Sequence, residues 1–280
     1  MAEVRSGATS ANKAANTKTR NTNGFWVNLG IVLVCIIVGQ LIYNFVLGDP
    51  ANFVDAERHT PKPGSWKGNM YLGGFIVPFL MAAFIVMLAF VIERAIAILK
   101  AKGKTNGGEL VRKVQYHLAN KNVDAAITEC DKQKGSVGNV MRAGLLKYKE
   151  MAGNSVLSTD EKLLAINKEV EEATALEVPM LEKNLVFLST LASAATLLGL
   201  IGTVVGMIKS FSAMSSAGAP DATALAAGIS EALYNTALGI TTSFFAIIFY
   251  NFYTTIIDGI NYNIDESGFT LTQSFAVNHK

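Results

Sequence analysis

Charged residues are scarce in this sequence, and their distribution is its most informative property. Only 16% of the 280 residues are Asp, Glu, Lys or Arg, against about 25% in a typical soluble protein. The segment Ala222–Ile257 has one charged side chain, Glu231, and the segment Leu185–Ile208 has none. A membrane crossing needs about 20 apolar residues, so each segment is long enough to span a bilayer. Most of the charges lie in residues 93–183, which predicts a membrane protein with one sizeable aqueous segment.

Cysteine and histidine are also rare. Cys35 lies in an apolar run and Cys130 in a charged one, so we expect no disulfide between them. His59, His117 and His279 are too scattered for metal-ligand spacing, so no metal site is predicted. The net charge of +2 and the lack of a basic stripe with interleaved aromatics argue against nucleic acid as a partner. No nucleophile–base pair or phosphate loop stands out, so we predict neither an enzyme nor a bound cofactor.

The apolar runs predict an all-α integral membrane protein with about four transmembrane helices and a cytoplasmic helical domain. In chain order the predicted segments are a disordered basic tail at 1–25, an extra transmembrane helix at 26–47, a periplasmic loop at 48–70, a transmembrane helix at 71–95, the cytoplasmic helical domain at 96–183, a transmembrane helix at 184–211, a periplasmic turn at 212–221, a transmembrane helix at 222–257 and a cytoplasmic tail at 258–280.

Local signals refine these segments. The density of proline in 48–70 predicts an exposed loop without a regular helix. Pro78 predicts a kink near the start of the second span, and Pro179 a bend before the third. Ser158 to Glu161 fits a capping box that opens a long helix.

The first span, 26–47, has two interpretations. Basic residues precede an apolar run, as in a signal peptide. The run is longer than the usual apolar core of 7–15 residues, and no Ala-x-Ala site follows, which favours a retained anchor helix. The tail before this span and the segment after the second span are basic, whereas acidic and basic residues are balanced in the loop between them. The positive-inside rule therefore predicts that the amino terminus, residues 94–183 and the carboxyl terminus are cytoplasmic.

Small and hydroxyl-bearing residues form a stripe on each of the last two spans. The stripes are Ser193, Thr196, Gly199, Thr203, Gly206 and Ser210 on the third span, and Gly228, Glu231, Asn235, Gly239, Thr242 and Ala246 on the fourth, with Thr236 beside them. Gly202 and Gly206 also make a small-xxx-small pair, which allows close approach of two helices. Such stripes either pack helices together or line a narrow hydrated path.

Individual side chains on these spans also have more than one interpretation. Thr203 and Thr236 either line that path or bond to carbonyls of their own helices. A carboxyl group within a membrane helix costs roughly 2.5–3.5 kcal/mol, which favours a functional role for Glu231 over simple snorkelling to the surface. Lys209 is predicted to be an interfacial lysine, or else to pair with an acid of a partner.

Two long motifs carry a family resemblance. Leu197–Ile208, with the sequence LLGLIGTVVGMI, and Ile229–Gly239, with the sequence ISEALYNTALG, resemble the two signature spans of the MotA/TolQ/ExbB proton-channel family and are most like ExbB. Phe249-Tyr250-Asn251 resembles the usual end of the last span. A looser similarity, through Asn139–Leu145 and Ile92–Arg94, extends the match to roughly residues 70–257.

This resemblance implies a homo-pentameric ring in the inner membrane of a Gram-negative bacterium, embedded in membrane lipid. It implies that the ring encloses two copies of a small single-span, ExbD-like partner and uses the proton motive force to work on a TonB-like protein for nutrient uptake. By the motifs, Thr203, Glu231 and Thr236 would face the channel interior. Residues with either a path or a packing role would be Thr196, Gly199, Gly202, Gly206, Asn235 and Gly239. The aspartate that carries the proton would belong to the partner.

Two features depart from the family pattern. Thr196 stands where relatives often have proline, and 26–47 adds a span to the usual three. Because the motifs separate the branches poorly, a TolQ-like motor, or one serving gliding or secretion, is an alternative. A non-conducting membrane scaffold is an alternative from another class.

Overall fold

The computed structural model describes residues 23–55, 60–216 and 222–279. Its α-helices are α1 (Asn23–Ile42), α2 (Trp66–Tyr71), α3 (Val77–Lys102), α4 (Gly107–Ala119), α5 (Val123–Gln133), α6 (Ser136–Ala152), α7 (Thr159–Glu182), α8 (Leu185–Ser216) and α9 (Ala222–Asn278). The shorter elements are a π-helical turn (Tyr43–Leu47), two 3-10 turns (Pro50–Asn52 and Gly74–Ile76) and the strands β1 (Phe53–Asp55) and β2 (Thr60–Pro61). Residues 1–22, most of the predicted basic tail, lie outside the described residues.

Four helical segments are long and apolar enough to cross a membrane, which confirms the predicted all-α membrane fold. They are α1 with its π-helical turn, α3, α8 and α9. The extra helix α1 packs on α3 through Gly39, where an added Cβ would lie only 2.8 Å from the Pro78 carbonyl oxygen. At its other end the amide of Asn28 donates a hydrogen bond to Asn184 Oδ1 at 2.8 Å. The helix is thus held to the chain at both ends.

The segment 48–70 is more ordered than the predicted loop. Its prolines occupy positions that need no backbone N–H: Pro50 starts a 3-10 turn, and Pro61 pairs with Phe53 in the two-stranded antiparallel ribbon β1–β2. The short helix α2 follows the last proline, and the hydroxyl of Ser65 caps it by accepting from the Gly68 N–H at 3.2 Å. The prediction that proline excludes a regular helix was therefore wrong for the end of the segment.

Pro78 does not have its predicted effect, and the predicted bend at Pro179 lies inside a continuous helix. The second membrane helix begins at Val77 instead of residue 71, and Pro78 lies in its first turn, where proline favours helix initiation instead of kinking the helix. Helix α7 continues through Pro179 to Glu182. The chain breaks between α7 and α8 at Asn184, whose φ of 66° lies in the left-handed region. The predicted capping box is confirmed, since the side chain of Ser158 and that of Glu161 bond to each other's backbone N–H.

The last two helices are longer than predicted. Helix α8 runs to Ser216, past the predicted end at 211, and residues 217–221 of the predicted turn lie outside the described residues. Helix α9 continues for 57 residues, so the predicted tail at 258–280 is helical as far as Asn278. Apolar residues at helical spacing bury this extension against α4, α6 and α7. Its buried side chains are Ile257, Ile260, Ile264, Leu271 and Phe275.

Phe275 lies at the centre of this contact. Its side chain is fully buried and meets the ring of Tyr148 edge-on, with ring centroids 4.9 Å apart. Asn278 follows one turn later and donates to the Leu118 carbonyl at 3.1 Å. Burial raises the pKa of the Tyr148 hydroxyl, although its bond with Asn278 acts in the opposite direction. The end of α9 is therefore a core element of the helical domain.

We expect Phe275→Ala to destabilise the helical domain by about 3–5 kcal/mol, because it leaves a cavity where a whole ring was buried. Phe269 lies on the same helix, is 67% exposed and provides a matched control. Phe269→Ala should change the free energy of unfolding by no more than about 0.5 kcal/mol. Denaturant unfolding of both purified variants measures the difference. Equal stability of the two variants would contradict a core role for the α9 extension.

Cys130 should resist alkylation in the folded protein. Burial first, and the carboxylates of Asp131 and Glu129 second, raise the pKa of its thiol from the ordinary 9.0 to about 12. At neutral pH this lowers the thiolate fraction about a thousandfold. Mass spectrometry after iodoacetamide treatment at about pH 8 should find Cys130 unmodified while a cysteine introduced at the exposed Val156 reacts. Comparable labelling of both sites in the native protein would contradict this prediction.

Candidate functional site

Helices α8 and α9 approach each other at backbone distance along a seam of glycines. A Cβ added to Gly199 would lie 3.1 Å from the Gly239 Cα, and one added to Gly239 would lie 2.6 Å from the Ala195 carbonyl oxygen. A Cβ added to Gly206 would meet the Gly228 carbonyl oxygen at 2.9 Å. Any larger residue would force the helices apart. These contacts support the packing interpretation of the glycines.

The close approach brings two threonines together. Thr203 on α8 and Thr236 on α9 are both half-buried, and their hydroxyls contact each other. Each hydroxyl also lies within hydrogen-bond distance of the Gly199 carbonyl, at 3.2 Å for Thr203 and 3.4 Å for Thr236. Thr203 thus bonds to its own helix, as one interpretation required, while Thr236 reaches across the seam. A hydroxyl both donates and accepts, so this pair can form part of a hydrogen-bonded chain.

Glu231 has an ion-pair partner in the same chain. The Lys209 ammonium lies 2.6 Å from Glu231 Oε1, and the side chains are 49% and 13% exposed, respectively. Gly74, with φ of +74°, packs against the pair, and a Cβ there would lie 2.5 Å from that carboxylate oxygen. The Lys209 charge offsets the cost of placing the carboxylate in a membrane helix. From the sequence, Lys209 was either an interfacial lysine or the ion-pair partner of an acid on another protein. In the structure it pairs with an acid of its own chain.

Asn235 ties the loop before α3 to this pair. Its side chain is buried and donates to the Gly73 carbonyl at 2.9 Å, while its Oδ1 atom is buried with no hydrogen-bond partner in the part of the chain that the structure describes. A Cβ on Gly202 would lie 2.7 Å from the Asn235 Cγ, so only glycine leaves room for the amide. Gly73 is followed by Gly74, so the Asn235 bond holds the loop beside Glu231.

The polar groups lie at two levels of the seam. Five residues separate Glu231 from Thr236 on α9, which corresponds to about 7.5 Å along a helix. The ion pair lies nearer to the end of the hairpin, and the hydroxyl pair lies deeper. Thr196 is exposed and takes no part in this arrangement.

Two members of the site were missed in the sequence: the Lys209–Glu231 pairing and the Gly73–Gly74 loop. The sequence does contain a signal that predicts the Lys209–Glu231 pairing. Two antiparallel helices joined by a short turn place residues opposite each other when they are equally distant from the turn. Lys209 with Glu231, Thr203 with Thr236, and Gly199 with Gly239 are all centred on residues 219–220. No comparable local pattern connects Gly73 and Gly74 to α9.

The outer faces of both helices are apolar and exposed within the single chain. On α8 they expose Leu197, Leu200, Ile201, Val204 and Ile208, and on α9 Leu233, Ile240, Phe244 and Ile247. In a membrane such faces contact lipid or further helices. The polar seam is thus enclosed between two apolar surfaces.

Known proteins resemble this chain mainly in the same region. The sequence profile of the MotA/TolQ/ExbB proton channel family matches residues 132–266. The biopolymer transport protein ExbB-like 3 of Synechocystis sp. is 36% identical over 89 residues, which is 31% of this chain and 42% of that protein. The Tol-Pal system protein TolQ of Pseudomonas aeruginosa is 30% identical over 115 residues, 41% of this chain and 50% of that protein. TolQ of Haemophilus influenzae is 39% identical over 88 residues, 31% of this chain and 35% of that protein.

The match spans half or less of the length of these relatives. The family profile includes all of α8 and α9 as far as Glu266, and with them the glycine seam, the hydroxyl pair and the ion pair. The family is one of membrane channels and not of enzymes. Residues 132–266, just under half of the chain, are thus similar to the MotA/TolQ/ExbB proton channel family.

Proposed function

We propose that the chain is a ring subunit of a proton-driven motor in the inner membrane of a Gram-negative cell. The observation that supports this most directly is the α8–α9 seam, where an ion pair and a hydroxyl pair lie at two levels of one membrane hairpin. Groups that exchange protons or hydrogen bonds are costly in a bilayer, and they mark ion pathways there. The family is one of proton channels, which gives this arrangement its chemistry.

The assembly in this proposal is a homo-pentamer around two copies of a small single-span, ExbD-like protein. The exposed apolar faces of α8 and α9 supply surfaces on which neighbouring subunits or partner helices can pack. The proton would be carried by a carboxylate of the partner, while Thr203, Thr236 and Glu231 line the path beside it. A TonB-like protein would receive the work. In this arrangement both termini and α4–α7 are cytoplasmic.

A TolQ-like role is the second candidate, because two of the similar proteins are TolQ proteins. The seam is compatible with either branch. Copurification of the tagged chain with the small membrane protein encoded beside it would separate them. Recovery of a Tol-system partner instead of an ExbD-like one would assign the chain to the TolQ branch.

We expect Thr203→Val to lower proton flux by at least about tenfold, because valine keeps the shape of threonine but removes the hydroxyl shared with Thr236. The measurement is dye-reported acidification of liposomes that contain the chain with its small partner. Thr254→Val is the matched control, since Thr254 is also half-buried but bonds only to the Tyr250 carbonyl of its own helix. Equal proton flux in both variants would show that Thr203 has only a packing role.

A charge-swap experiment separates a protonic role of Glu231 from a structural one. Glu231→Gln should lower flux while native mass spectrometry shows an unchanged assembly. Glu231→Lys combined with Lys209→Glu restores an ion pair but moves the carboxylate to the more exposed side. If the carboxylate position matters for proton passage, the swapped protein assembles but conducts poorly. Wild-type flux in the swapped protein would make the pair a purely structural contact.

A further inference from the structure

A cavity of about 330 Å³ opens between α3, the start of α6 and the end of α7. Small-molecule sites usually range from about 300 to 1,000 Å³, so it is large enough for a polar headgroup. Its wall includes Lys100 on α3, Lys134 and Ser136 at the α5–α6 turn, and Glu177 and Met180 on α7. None of these residues belongs to the α8–α9 seam.

The cavity lies at the level of the lipid headgroups. Twenty residues of α3, counted from Val77, end at Ile96 and span about 30 Å, the thickness of the hydrocarbon core. Lys100 is the next turn along. On the opposite wall, Met180 lies one turn before Leu185, where the apolar helix α8 begins. The cavity is therefore where the membrane helices meet the helical domain.

Two cationic side chains in the wall are available to a ligand. Across residues 23–55, 60–216 and 222–279, neither Lys100 nor Lys134 has an ion-pair partner. Lys134 is in the left-handed conformation, with φ of 56°, and ends α5 at the edge of the cavity. Helix α6 starts two residues later, and its dipole adds positive potential at the same wall, although Gln133 Oε1 already accepts from the Gly138 N–H at 3.2 Å.

The one acidic group in the wall is already oriented. Glu177 Oε1 accepts a hydrogen bond from the Asn139 amide at 2.9 Å. Two lysines against one glutamate leave the cavity with a formal charge of +1. One phosphodiester anion neutralises this charge, and a carboxylate oxygen can accept hydrogen bonds from hydroxyls attached to that phosphate.

Part of the cavity wall is apolar. On α3 it consists of Ala97, Ile98 and Ala101. On α7, Met180 is 65% exposed at the rim of the cavity. Acyl chains can lie along this surface while the headgroup occupies the polar wall.

We propose that this cavity binds the headgroup of an anionic glycerophospholipid of the phosphatidylglycerol type. The phosphate contacts Lys100, Lys134 and the N-terminus of α6, and the headgroup glycerol donates to Glu177. Basic pockets at the membrane surface between helices are known to select anionic lipids. The bound lipid would join α3, α6 and α7 where the membrane part meets the helical domain. This proposal depends on the membrane fold and not on proton conduction.

The test is lipid binding by the full chain in mixed micelles, with native mass spectrometry counting bound lipids. Dioleoylphosphatidylglycerol should bind at least about tenfold more tightly than dioleoylphosphatidylcholine. Lys100→Gln and Lys134→Gln should each weaken phosphatidylglycerol binding about fivefold, and the double variant about 25-fold, with phosphatidylcholine binding unchanged. Thermal unfolding of each variant without lipid verifies that it is folded.

The matched control is the double variant Lys132→Gln and Lys168→Gln. It removes the same charge from exposed lysines that already pair with Glu129 and Glu172. Its affinity for phosphatidylglycerol should equal that of the wild type. Equal affinity of the wild type for both lipids, or an equal loss in the control, would overturn the proposal.

A third arm distinguishes a lipid from a free phosphoester. Soluble glycerophosphoglycerol carries the same headgroup without acyl chains and should fail to displace the bound lipid at equal concentration. Displacement by it would assign the cavity to a soluble phosphoester and overturn the lipid proposal.

Discussion

The glycine seam between α8 and α9 is the constraint on which the rest of the structure depends. Gly199 and Gly239 bring the two helices to backbone contact, a distance that no side chain with a Cβ permits. At this distance the Thr203 and Thr236 hydroxyls meet, and both reach the single carbonyl of Gly199. These contacts support the packing interpretation of the glycines, and the pathway interpretation stays a prediction. The glycines pack, and their packing places the polar groups.

Helix α9 continues from the seam into the helical domain outside the membrane. Its 57 residues correspond to about 85 Å of continuous helix, more than twice the thickness of a hydrocarbon core. One end carries Glu231 and Thr236, and the other buries Leu271 and Phe275 in the helical domain. The described helix continues without a break from the seam to that domain, so it connects the two directly.

The sequence predicted the membrane fold well, because the length of an apolar run and the absence of charge are properties of the chain itself. It predicted helix ends less well. Pro78 is predicted to kink a helix, but it lies in the first turn, where proline is tolerated without a kink. The α9 extension is not predicted, because the charge-poor run ends at Asp258, although apolar residues continue at helical spacing beyond it.

Part of the site was also predictable, because polar groups in an apolar helix are visible in the sequence itself. The stripes identified Thr203, Glu231 and Thr236, since hydroxyl and carboxyl groups in an apolar helix are conspicuous. The Gly73–Gly74 loop was not predictable, because its contact with Asn235 spans 162 residues and depends on how α3 packs beside α9. Only the folded chain places Gly74 against the carboxylate.

The unequal exposure of the ion pair has a consequence for any partner. Glu231 is 13% exposed and enclosed by Gly74, whereas Lys209 is 49% exposed, so an approaching group meets the ammonium first. A carboxylate that binds Lys209 would compete with Glu231 for the same charge. Glu231 would then lose its counterion within an apolar helix. In the proposed motor, a partner that binds Lys209 would therefore act on Glu231 through this one ion pair.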